Sequence, residues 1–328
     1  MNGKSKKHMV LVSVAVITYN MERYLRNLLD SILMQEVDFK YEVVINDDCS
    51  PDHSRDIIES YRKKYPEIIR PCYKNKNVGG SRNMYGVMHK CRGKYIAILE
   101  GDDYWEDKKK LQYQVDFLEA HPEYIGMTGN SWCDHGELPE YNQLMRNRKN
   151  PKIFTFKDFQ NRHFRDRLPT STDTWMFRNF WHDGGDYSIF YKAHDMIWDQ
   201  SLILILYGKG SIYADSKVMS HHRSVVKSNG TNYQSLIAQR NCLHGDSLMY
   251  ERMEKYIRGH LHMPCGRFFE ARGEVWVDAF IRSIKTRDRE DIRIMLLIWR
   301  EQKRKGMLIR MLSGKAINVV SRKLGIIE

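Results

Sequence analysis

The chain has 328 residues, of which 42% are hydrophobic and 29% are charged. This composition excludes a fibrous or disordered protein, and the length allows one large domain with an extension or two domains. The net charge of +12 is concentrated at the ends: residues 1–8 carry three lysines and no acid, and residues 281–328 carry 13 Lys and Arg against 5 Asp and Glu. Because the body is nearly neutral, we expect no nucleic-acid partner.

The six cysteines form no Cys-x-x-Cys pair, which disfavours a zinc site or a disulfide framework and suits a reducing cytosol. An apolar run at 9–17 follows three lysines and superficially resembles a signal peptide. No small-x-small cleavage site follows, so we interpret residues 1–8 as a disordered basic tail and the run as a strand. No apolar stretch approaches the ~18–20 residues needed to span a bilayer, and we expect a cytoplasmic protein.

Residues 9–130 alternate between the strand and helix patterns. Strands are predicted at 10–17, 41–45, 68–73, 95–99 and 125–130. Between them the apolar spacing predicts helices at about 24–33, 51–65, 83–91 and 107–119. Polar residues follow each strand. The pattern predicts a doubly wound, mostly parallel sheet with flanking helices.

The rest of the chain is less regular and then helical. We predict a strand at 172–178, a buried helix at 193–207, and strands at 211–214 and 217–222. Helices are predicted at 233–258, 265–285 and 288 to about 325. We therefore divide the chain into an α/β domain at 9–232, with halves at 9–130 and 131–232, and an α-helical C-terminal extension at 233–328.

Three carboxylates follow the buried strand 95–99 within four residues: Glu100, Asp102 and Asp103. Ligands of open α/β sheets bind at the carboxyl ends of the strands. A solvated acidic turn is one interpretation. The other is a site for Mg²⁺ or Mn²⁺, which prefers oxygen ligands and takes part of its coordination from substrate phosphates and water.

Four motifs stand in order along the first 105 residues. They are Thr18-Tyr19-Asn20, Asp47-Asp48-Cys49-Ser50-x-Asp52, Asn77-x-Gly79 with Arg82-Asn83, and Glu100-Gly101-Asp102-Asp103-Tyr104-Trp105. In this order and spacing the chain resembles family-2 glycosyltransferases of the GT-A fold, as found in bacterial surface-polysaccharide assembly. The resemblance is specific over 9–130, moderate over 165–225 and absent beyond about 235. No Gly-x-Gly-x-x-Gly or P-loop motif is present.

The resemblance implies a nucleoside-diphosphate sugar, usually a UDP-sugar, bound over the strand ends. One of Asp47 and Asp48 would accept a hydrogen bond from the imide N–H of uracil. Arg82 would pair with phosphate, with a surface helix residue as the alternative. The other donor-binding positions implied by the motifs are Thr18, Tyr19, Asn20, Asn77, Gly79 and Asp102.

The resemblance also places a metal, Mn²⁺ or Mg²⁺, between the phosphates. Asp103 would hold it, while Asp102 would contact the ribose, the sugar or the metal. His222, in His221-His222-Arg223, lies where relatives place a group on the metal or diphosphate, although a structural histidine is equally expected. The family often has Asp at the position of Glu100, which leaves the role of Glu100 open.

An acceptor hydroxyl needs a general base within hydrogen-bond reach. The resemblance assigns this role to Asp195 and implies inversion of the anomeric centre. The alternatives are Asp199, Asp186 or Asp173 as the base, or a carboxylate that only stabilises a helix N-terminus. Relatives form the acceptor pocket near Thr170-Ser171-Thr172 and Trp175, with a core tryptophan as the default for the last.

The expected acceptor is a saccharide or lipid-linked saccharide. The basic, apolar-interleaved C-terminal helices suit an anionic membrane surface at the inner face of the cell membrane; a solvated helix face or pairing of two chains are the alternatives. Two other functions remain: a nucleotidyltransferase, disfavoured by the missing Gly-rich loop after strand one, and a non-catalytic sugar- or nucleotide-binding module.

Overall fold

The computed structural model describes residues 9–134, 142–145, 151–161, 171–224, 241–265, 268–302, 305–306 and 308–313. The first half alternates strand and helix as predicted. Its elements are β1 (Val12–Thr18), α1 (Glu22–Leu33), β2 (Tyr41–Asp47), α2 (Ser54–Lys64), β3 (Ile69–Tyr73), α3 (Gly80–Met88), β4 (Tyr95–Glu100), β5 (Tyr104–Trp105) and α4 (Lys110–Ala120). The short β5, directly after the acidic residues, had no signal in the sequence pattern.

The second half contains more short elements. They are β6 (Tyr124–Asp134), β7 (Gln143–Met145), β8 (Lys152–Phe154), α5 (Phe156–Asn161), a 3₁₀ turn (Thr172–Thr174), β9 (Met176–Arg178), α6 (Ile189–Lys192), α7 (Asp199–Lys209) and β10 (Ser211–Arg223). The C-terminal region contains α8 (Leu243–Tyr256), a π-helical turn (Ile257–Leu261), α9 (Phe268–Thr286) and α10 (Arg289–Glu301).

One mixed sheet organises the α/β part in the order β3-β2-β1-β4-β9-β6-β10-β5. The four N-terminal strands are parallel, as predicted, and β9 runs antiparallel between β4 and β6. The register pairs Thr18 with Asp47 and Ile17 with Glu100. The polar residues that follow β1, β2 and β4 therefore meet at one edge of the sheet.

The central strand β1 is buried on both faces, which explains its continuous apolar sequence. Val14 and Val16 pack into the cluster formed with α1, α2 and α4. Ala15 and Ile17 face the opposite cluster, which contains α3, α6, α7 and also Met249 of α8. Since successive strand residues point to opposite faces, a single run serves two helix layers.

Three predicted elements differ from the structure. The strand predicted at 172–178 begins with a 3₁₀ turn, in which Trp175 N–H bonds to Thr172 O, and only Met176–Arg178 pair as a strand. The two strands predicted at 211–222 form one strand, because an irregularity between Ala214 and Val218 absorbs the polar residues without ending the pairing. The helix predicted from residue 193 begins at Asp199, after a loop.

The C-terminal helices pack on one another, with α9 between α8 and α10. The predicted start of the first helix at 233 and the end of the last near 325 lie outside the described residues, as does the tail 1–8. Within the described part of the chain, no helix has the length and apolarity needed to cross a membrane.

Candidate active site

A cavity of about 360 Å³ opens where the parallel strands end. It is lined by residues from the ends of β1, β2 and β4, from the start of α3 and from the loop before α7. The lining residues are Ile17, Thr18, Tyr19, Met21, Asp48, Asn77, Gly79, Gly80, Asn83, Glu100, Gly101, Asp102, Met196 and Trp198. The sequence-predicted positions Thr18, Tyr19, Asp48, Asn77, Gly79 and Asp102 therefore come together at one place.

The turn after β1 is held by the loop after β2. Asn20 adopts a positive φ of 58°, and its N–H donates to Ser50 Oγ at 3.1 Å. The N–H of Glu22 donates to Asp52 Oδ2 at 2.9 Å. Asn20 itself is exposed and does not line the cavity. Ser50 and Asp52 of the second motif thus fix the backbone of the first motif.

The two aspartates after β2 have different surroundings. Both oxygens of Asp48 accept backbone hydrogen bonds at 2.9 Å, from Val78 and Gly79, so this side chain holds the loop that precedes α3. Burial raises the pKa of Asp48, partly offset by these two bonds. Asp47 lies behind the cavity and accepts from Arg55 Nε at 2.6 Å. Of the pair, only Asp48 lines the cavity.

Gly79 starts α3 in a conformation that few other residues adopt. Its φ of 87° and ψ of 157° lie in a region essentially restricted to glycine. A Cβ there would lie 3.4 Å from the backbone oxygen of Asp195. Behind it, Asn46 and Asn83 exchange side-chain to backbone hydrogen bonds of 3.1 Å in both directions, which fixes α3 against β2.

The acidic residues after β4 face the other side of the cavity. Glu100 and Asp102 keep part of their surface in the cavity and are otherwise enclosed by protein. This burial, aided by the neighbouring carboxylates, raises the pKa of Glu100 to about 8. Burial also raises the pKa of Asp102, although His222 and Arg223 oppose the shift. Two acids with raised pKa values are thus concentrated where a ligand can enter.

Asp103 points toward the end of β10 and does not line the cavity. One carboxylate oxygen accepts the N–H of Arg223 at 2.9 Å, and His222 Nδ1 lies 3.2 Å from the same oxygen. Burial raises the pKa of Asp103, and His222 partly offsets this effect. Although burial of the ring opposes protonation, Asp103 and Asp173 raise the pKa of His222 well above its usual value. Asp103 and His222, which are both predicted metal ligands, are therefore in contact.

The 3₁₀ turn (Thr172–Thr174) contacts the acidic residues after β4, and this contact was not predicted from the sequence. Thr172 Oγ1 donates to Glu100 Oε1 at 3.0 Å. Asp173 is fully buried and accepts from Ser131 Oγ at 2.8 Å, while Trp105 Nε1 donates to its backbone oxygen. A buried aspartate held in this way is not a general base for an entering acceptor. The only signal for this turn in the sequence was the polar run Thr172-Asp173-Thr174 between apolar segments.

Asp195 lies in the loop between α6 and α7 and is exposed. The loop borders the cavity, because Met196 and Trp198 line it and Ser81 N–H donates to Asp195 O at 3.0 Å. Of the alternative bases, Asp186 accepts the N–H of Ser188, and Asp199 lies in the first turn of α7. None of the three aspartates lines the cavity, although the loop that carries Asp195 borders it.

Other predicted positions lie outside the cavity. Arg82 is exposed on α3, with its guanidinium 4.6 Å from the Tyr191 ring centroid. His221 stacks on Tyr104 and lies 2.7 Å from Glu106. Trp175 is 1% exposed and belongs to the core, so it does not form an acceptor surface. Thr170 lies outside the described residues.

Two polar atoms beside the cavity are buried without a hydrogen-bond partner in the described part of the chain: Thr18 Oγ1 and Asn83 Oδ1. Buried polar groups in native proteins normally have partners, so such atoms mark places where a ligand or water completes the structure. In the ranges described above, no three His, Cys, Asp or Glu side chains are arranged to hold a metal ion. The carboxylate donors nevertheless match the oxygen ligands that Mn²⁺ prefers.

Comparison with known sequences identifies relatives over about a third of the chain. The chain is 43% identical over 112 residues to an uncharacterised protein of Mycobacterium tuberculosis, covering 34% of this chain and 32% of that one. It is 35% identical over 121 residues to the putative teichuronic acid biosynthesis glycosyltransferase TuaG of Bacillus subtilis, covering 37% and 47%. The chain thus spans less than half of these relatives.

The poly(ribitol-phosphate) beta-N-acetylglucosaminyltransferase TarS of Staphylococcus aureus is 33% identical over 115 residues, covering 34% of this chain and 20% of TarS. The crystal structure of TarS residues 1–349 in complex with UDP superposes with a TM-score of 0.53 at 20% identity, covering 82% of this chain and 80% of that one. This likeness shows a shared GT-A fold.

The family model described as "Glycosyl transferase family 2" matches residues 13–184, which is more than half of the chain. The match includes the four motifs and every strand end that borders the cavity, and it confirms the resemblance drawn from those motifs. The chain belongs to glycosyl transferase family 2.

Proposed function

We propose that this protein is a metal-dependent, inverting glycosyltransferase that moves a sugar from a UDP-sugar to a glycan or lipid-linked acceptor. The observation that carries the proposal is the group of three buried acids, Glu100, Asp102 and Asp103, at the carboxyl edge of the sheet, with His222 and Arg223 as their cationic neighbours. Burying carboxylates in excess of their counter-ions opposes folding. A bound cation with a diphosphate donor would neutralise the acids.

The nucleoside end of the donor fits the opposite side of the cavity. Thr18 and Tyr19 border it, and Thr18 Oγ1 needs a partner. Asp48 is the better candidate to read the base, because it lines the cavity whereas Asp47 is paired with Arg55. A carboxylate oxygen has lone pairs beyond those used by Val78 and Gly79, so a uracil imide can still donate to it.

The metal, Mn²⁺ or Mg²⁺, is proposed to bind Asp103, Asp102 and His222 after these side chains reorient, because no three such groups among the described residues are arranged around an ion as they stand. Phosphate oxygens and water would be its other ligands. When bound, it would neutralise the charge that develops on the departing diphosphate. The residues of this chain hold the acids in place: Arg223 N–H and Thr172 Oγ1 fix Asp103 and Glu100. His222 must leave its contact with Asp103, or lose its proton, to act as a ligand.

Asp195 is the proposed general base. Its loop borders the cavity from the side of α3 and α7, while the acids border it from β4. An acceptor hydroxyl entering beside Asp195 would give its proton to the carboxylate and attack from the face opposite the diphosphate, so the product is inverted. Asp195 is exposed, so an acceptor can reach it.

The acceptor class rests on the relatives. TuaG is named for teichuronic acid biosynthesis and TarS for poly(ribitol-phosphate), and both names describe surface polymers of bacteria. We propose cell-surface polysaccharide synthesis for this chain, with a TarS-like UDP-sugar donor.

The test is a transfer assay with a panel of nucleotide sugars, preceded by a thermal-shift screen with Mn²⁺, because a ligand of the native state raises the melting temperature. Asp195→Asn should bind the donor as the wild type does and lose transfer by about 10²–10⁴-fold. Pyrophosphate release from a nucleoside triphosphate and a sugar phosphate would instead indicate a nucleotidyltransferase. A wild type that binds UDP with Mn²⁺ but turns over no donor would indicate a binding module.

The outer face of α10 supports a second proposal, attachment to an anionic membrane at its cytoplasmic face. Ile292 and Leu296 are exposed and are interleaved with exposed Arg289, Arg293 and Arg300. An apolar stripe flanked by arginines suits the headgroup region of anionic lipids. The apolar residue Ile284 on α9 is also exposed.

Flotation with phosphatidylglycerol vesicles tests this proposal. The double variant Ile292→Ser, Leu296→Ser should float less than the wild type, and 0.5 M salt should weaken the binding of both. Equal flotation of the variant and the wild type would refute the attachment. A loss of dimer in light scattering, without a change in flotation, would assign the face to a second copy of the chain.

A further inference from the structure

The loop at 193–197, which carries Asp195, is joined to the C-terminal helix α8 as well as to the donor side of the cavity. Ser81 N–H donates to Asp195 O at 3.0 Å at the start of α3. On the other side, Arg252 of α8 donates through Nη1 to the backbone oxygens of Lys192 and Ala193, both at 3.1 Å. The backbone before and at Asp195 is therefore held from two directions.

His194 fixes the backbone after Asp195. The N–H groups of Met196 and Ile197 both point at His194 Nδ1, at 3.1 and 3.0 Å. Since both partners are donors, Nδ1 must be the unprotonated nitrogen, and Nε2 carries the hydrogen. The His194 side chain closes a turn around Asp195 in the way that Asx residues close shorter turns.

The other nitrogen of His194 faces α8. Nε2 lies 3.5 Å from Asp246 Oδ1, and the two side chains are only 11% and 19% exposed. A carboxylate beside Nε2–H favours the tautomer that leaves Nδ1 free to accept. Gly245 permits the close approach, because a Cβ at that position would lie 3.0 Å from His194 Nε2.

Helix α8 is itself anchored in the α/β domain. Met249 and Met253 are fully buried in the apolar cluster that contains α3, α6 and α7. The helix is therefore a fixed support for the loop, and the interaction with Asp246 and Arg252 transmits its position to the turn. The sequence resemblance to the family had ended at about residue 235, before this helix.

We propose that His194 is a positioning residue for Asp195, and that α8 of the C-terminal extension supports the active-site loop through Asp246, Arg252 and Gly245. The inference rests on the proposed role of Asp195 as the base. The turn closed by His194 fixes the backbone of the loop that carries Asp195 and borders the cavity, and a displacement of about 1 Å in a catalytic group can lower a rate by about 10²-fold.

Three substitutions separate the two contacts of His194. The Oδ1 of Asn lies near the place of Nδ1, so His194→Asn keeps the acceptor for Met196 and Ile197 and loses the contact with Asp246. His194→Gln reaches toward Asp246 but offers no acceptor to the turn, and His194→Ala removes both contacts. Amide hydrogen exchange at Met196 and Ile197 reports on the turn, and kcat and KM of transfer report on the base.

We expect protection of the two amides in the wild type and in His194→Asn, and faster exchange in His194→Gln and His194→Ala. The kcat should fall about 10- to 100-fold in the last two, with the donor Kd unchanged and His194→Asn within a few-fold of the wild type. Loss of protection with an unchanged kcat would overturn the positioning role. Unchanged protection in all variants would overturn the turn itself.

A glycine pair tests the support from α8. Gly245→Ala should press on His194 and lower kcat, whereas Gly259→Ala in the following π-helical turn meets nothing within 4 Å and should not. Equal kcat values for the two variants would contradict the role of α8. If the wild type transfers no sugar, the proposed transferase function fails, and the exchange data still decide whether His194 closes the turn.

Discussion

The buried carboxylates at the two ends of the parallel strands differ in their partners and in the direction of their pKa shifts. At the amino end, Glu42 of β2 accepts from Ser13 at 2.7 Å and pairs with both Arg70 and Arg92. Although burial alone raises it, these partners hold the pKa of Glu42 below its ordinary value. At the carboxyl end, Glu100 has one donor, Thr172, among the described residues, and burial raises its pKa to about 8.

The difference separates a structural acid from a binding acid. Glu42 ties β1, β2 and the turn before β4 together, and its charge is neutralised within the chain. Glu100, Asp102 and Asp103 share a small volume and have His222 and Arg223 as their cationic neighbours. The first group of contacts stabilises the fold, and the second leaves charge for a ligand to neutralise.

Replacing Glu42 and Glu100 by glutamine in turn should give the largest contrast in the free energy of unfolding. Glu42→Gln should lower the free energy of unfolding by about 3 kcal/mol, because charge-assisted bonds to two arginines are lost. Glu100→Gln removes a carboxylate that has no ion pair in the described structure, so its free energy of unfolding should be unchanged or higher. Urea denaturation at neutral pH measures both. Equal losses of unfolding free energy in the two variants would contradict the distinction between a structural acid and a binding acid.

Lys110 offers an effect near the carboxyl end that depends on pH and is smaller per pH unit. It is fully buried and donates to the neutral Gln114 at 2.7 Å, and burial lowers its pKa to about 7. Between about pH 7 and 10 the unfolded chain binds more protons than the folded chain, so stability should rise with pH by up to about 1.4 kcal/mol per unit. This rise of stability with pH should be absent in Lys110→Met.

The control for this prediction is the difference between the two proteins. The stability advantage of Lys110→Met over the wild type should be greatest at pH 7 and should shrink toward pH 10. Parallel stability curves over this range would show that the ammonium of Lys110 is not penalised by burial.

The smallest expected effect concerns Gly79. Gly79→Ala places a side chain at φ 87° and should cost on the order of 1 kcal/mol of stability. It should also weaken UDP binding, since Asp48 accepts the Gly79 N–H and the new Cβ approaches Asp195 O. Gly184→Ala is the matched control, because it shares the positive φ and meets nothing within 4 Å. Equal UDP affinities for both variants would refute the link to the donor site.

The N-terminal half could be predicted because its signals are local. Apolar runs on β1, β2 and β4 and the polar residues after them fix both the elements and the edge at which they meet. The insertion of β9 between β4 and β6 could not be predicted, since antiparallel pairing of Met176 with Ala97 and Met127 depends on contacts distant in sequence. The loop before α7 was mistaken for helix because the His194 turn has no propensity signal.

The candidate active site could also be predicted only in part. Motif residues such as Thr18, Asp48 and Asp102 could be located because each lies at or within two residues of the end of a strand. The roles of Ser50 and Asp52 in holding the turn after β1, and the pairing of Arg55 with Asp47, required the structure. Arg82 illustrates the limit: its position in the motif suggested the phosphates, whereas its guanidinium stacks on Tyr191 outside the cavity.

The central claim is that acids at the carboxyl edge of the sheet bind a nucleotide through a divalent ion. Calorimetric titration of UDP, with and without Mn²⁺, tests it on the wild type, Asp103→Ala and Asp195→Asn. We predict that Mn²⁺ strengthens UDP binding to the wild type and to Asp195→Asn by about tenfold or more, and that Asp103→Ala loses this enhancement. An equal enhancement in Asp103→Ala and the wild type would contradict the claim.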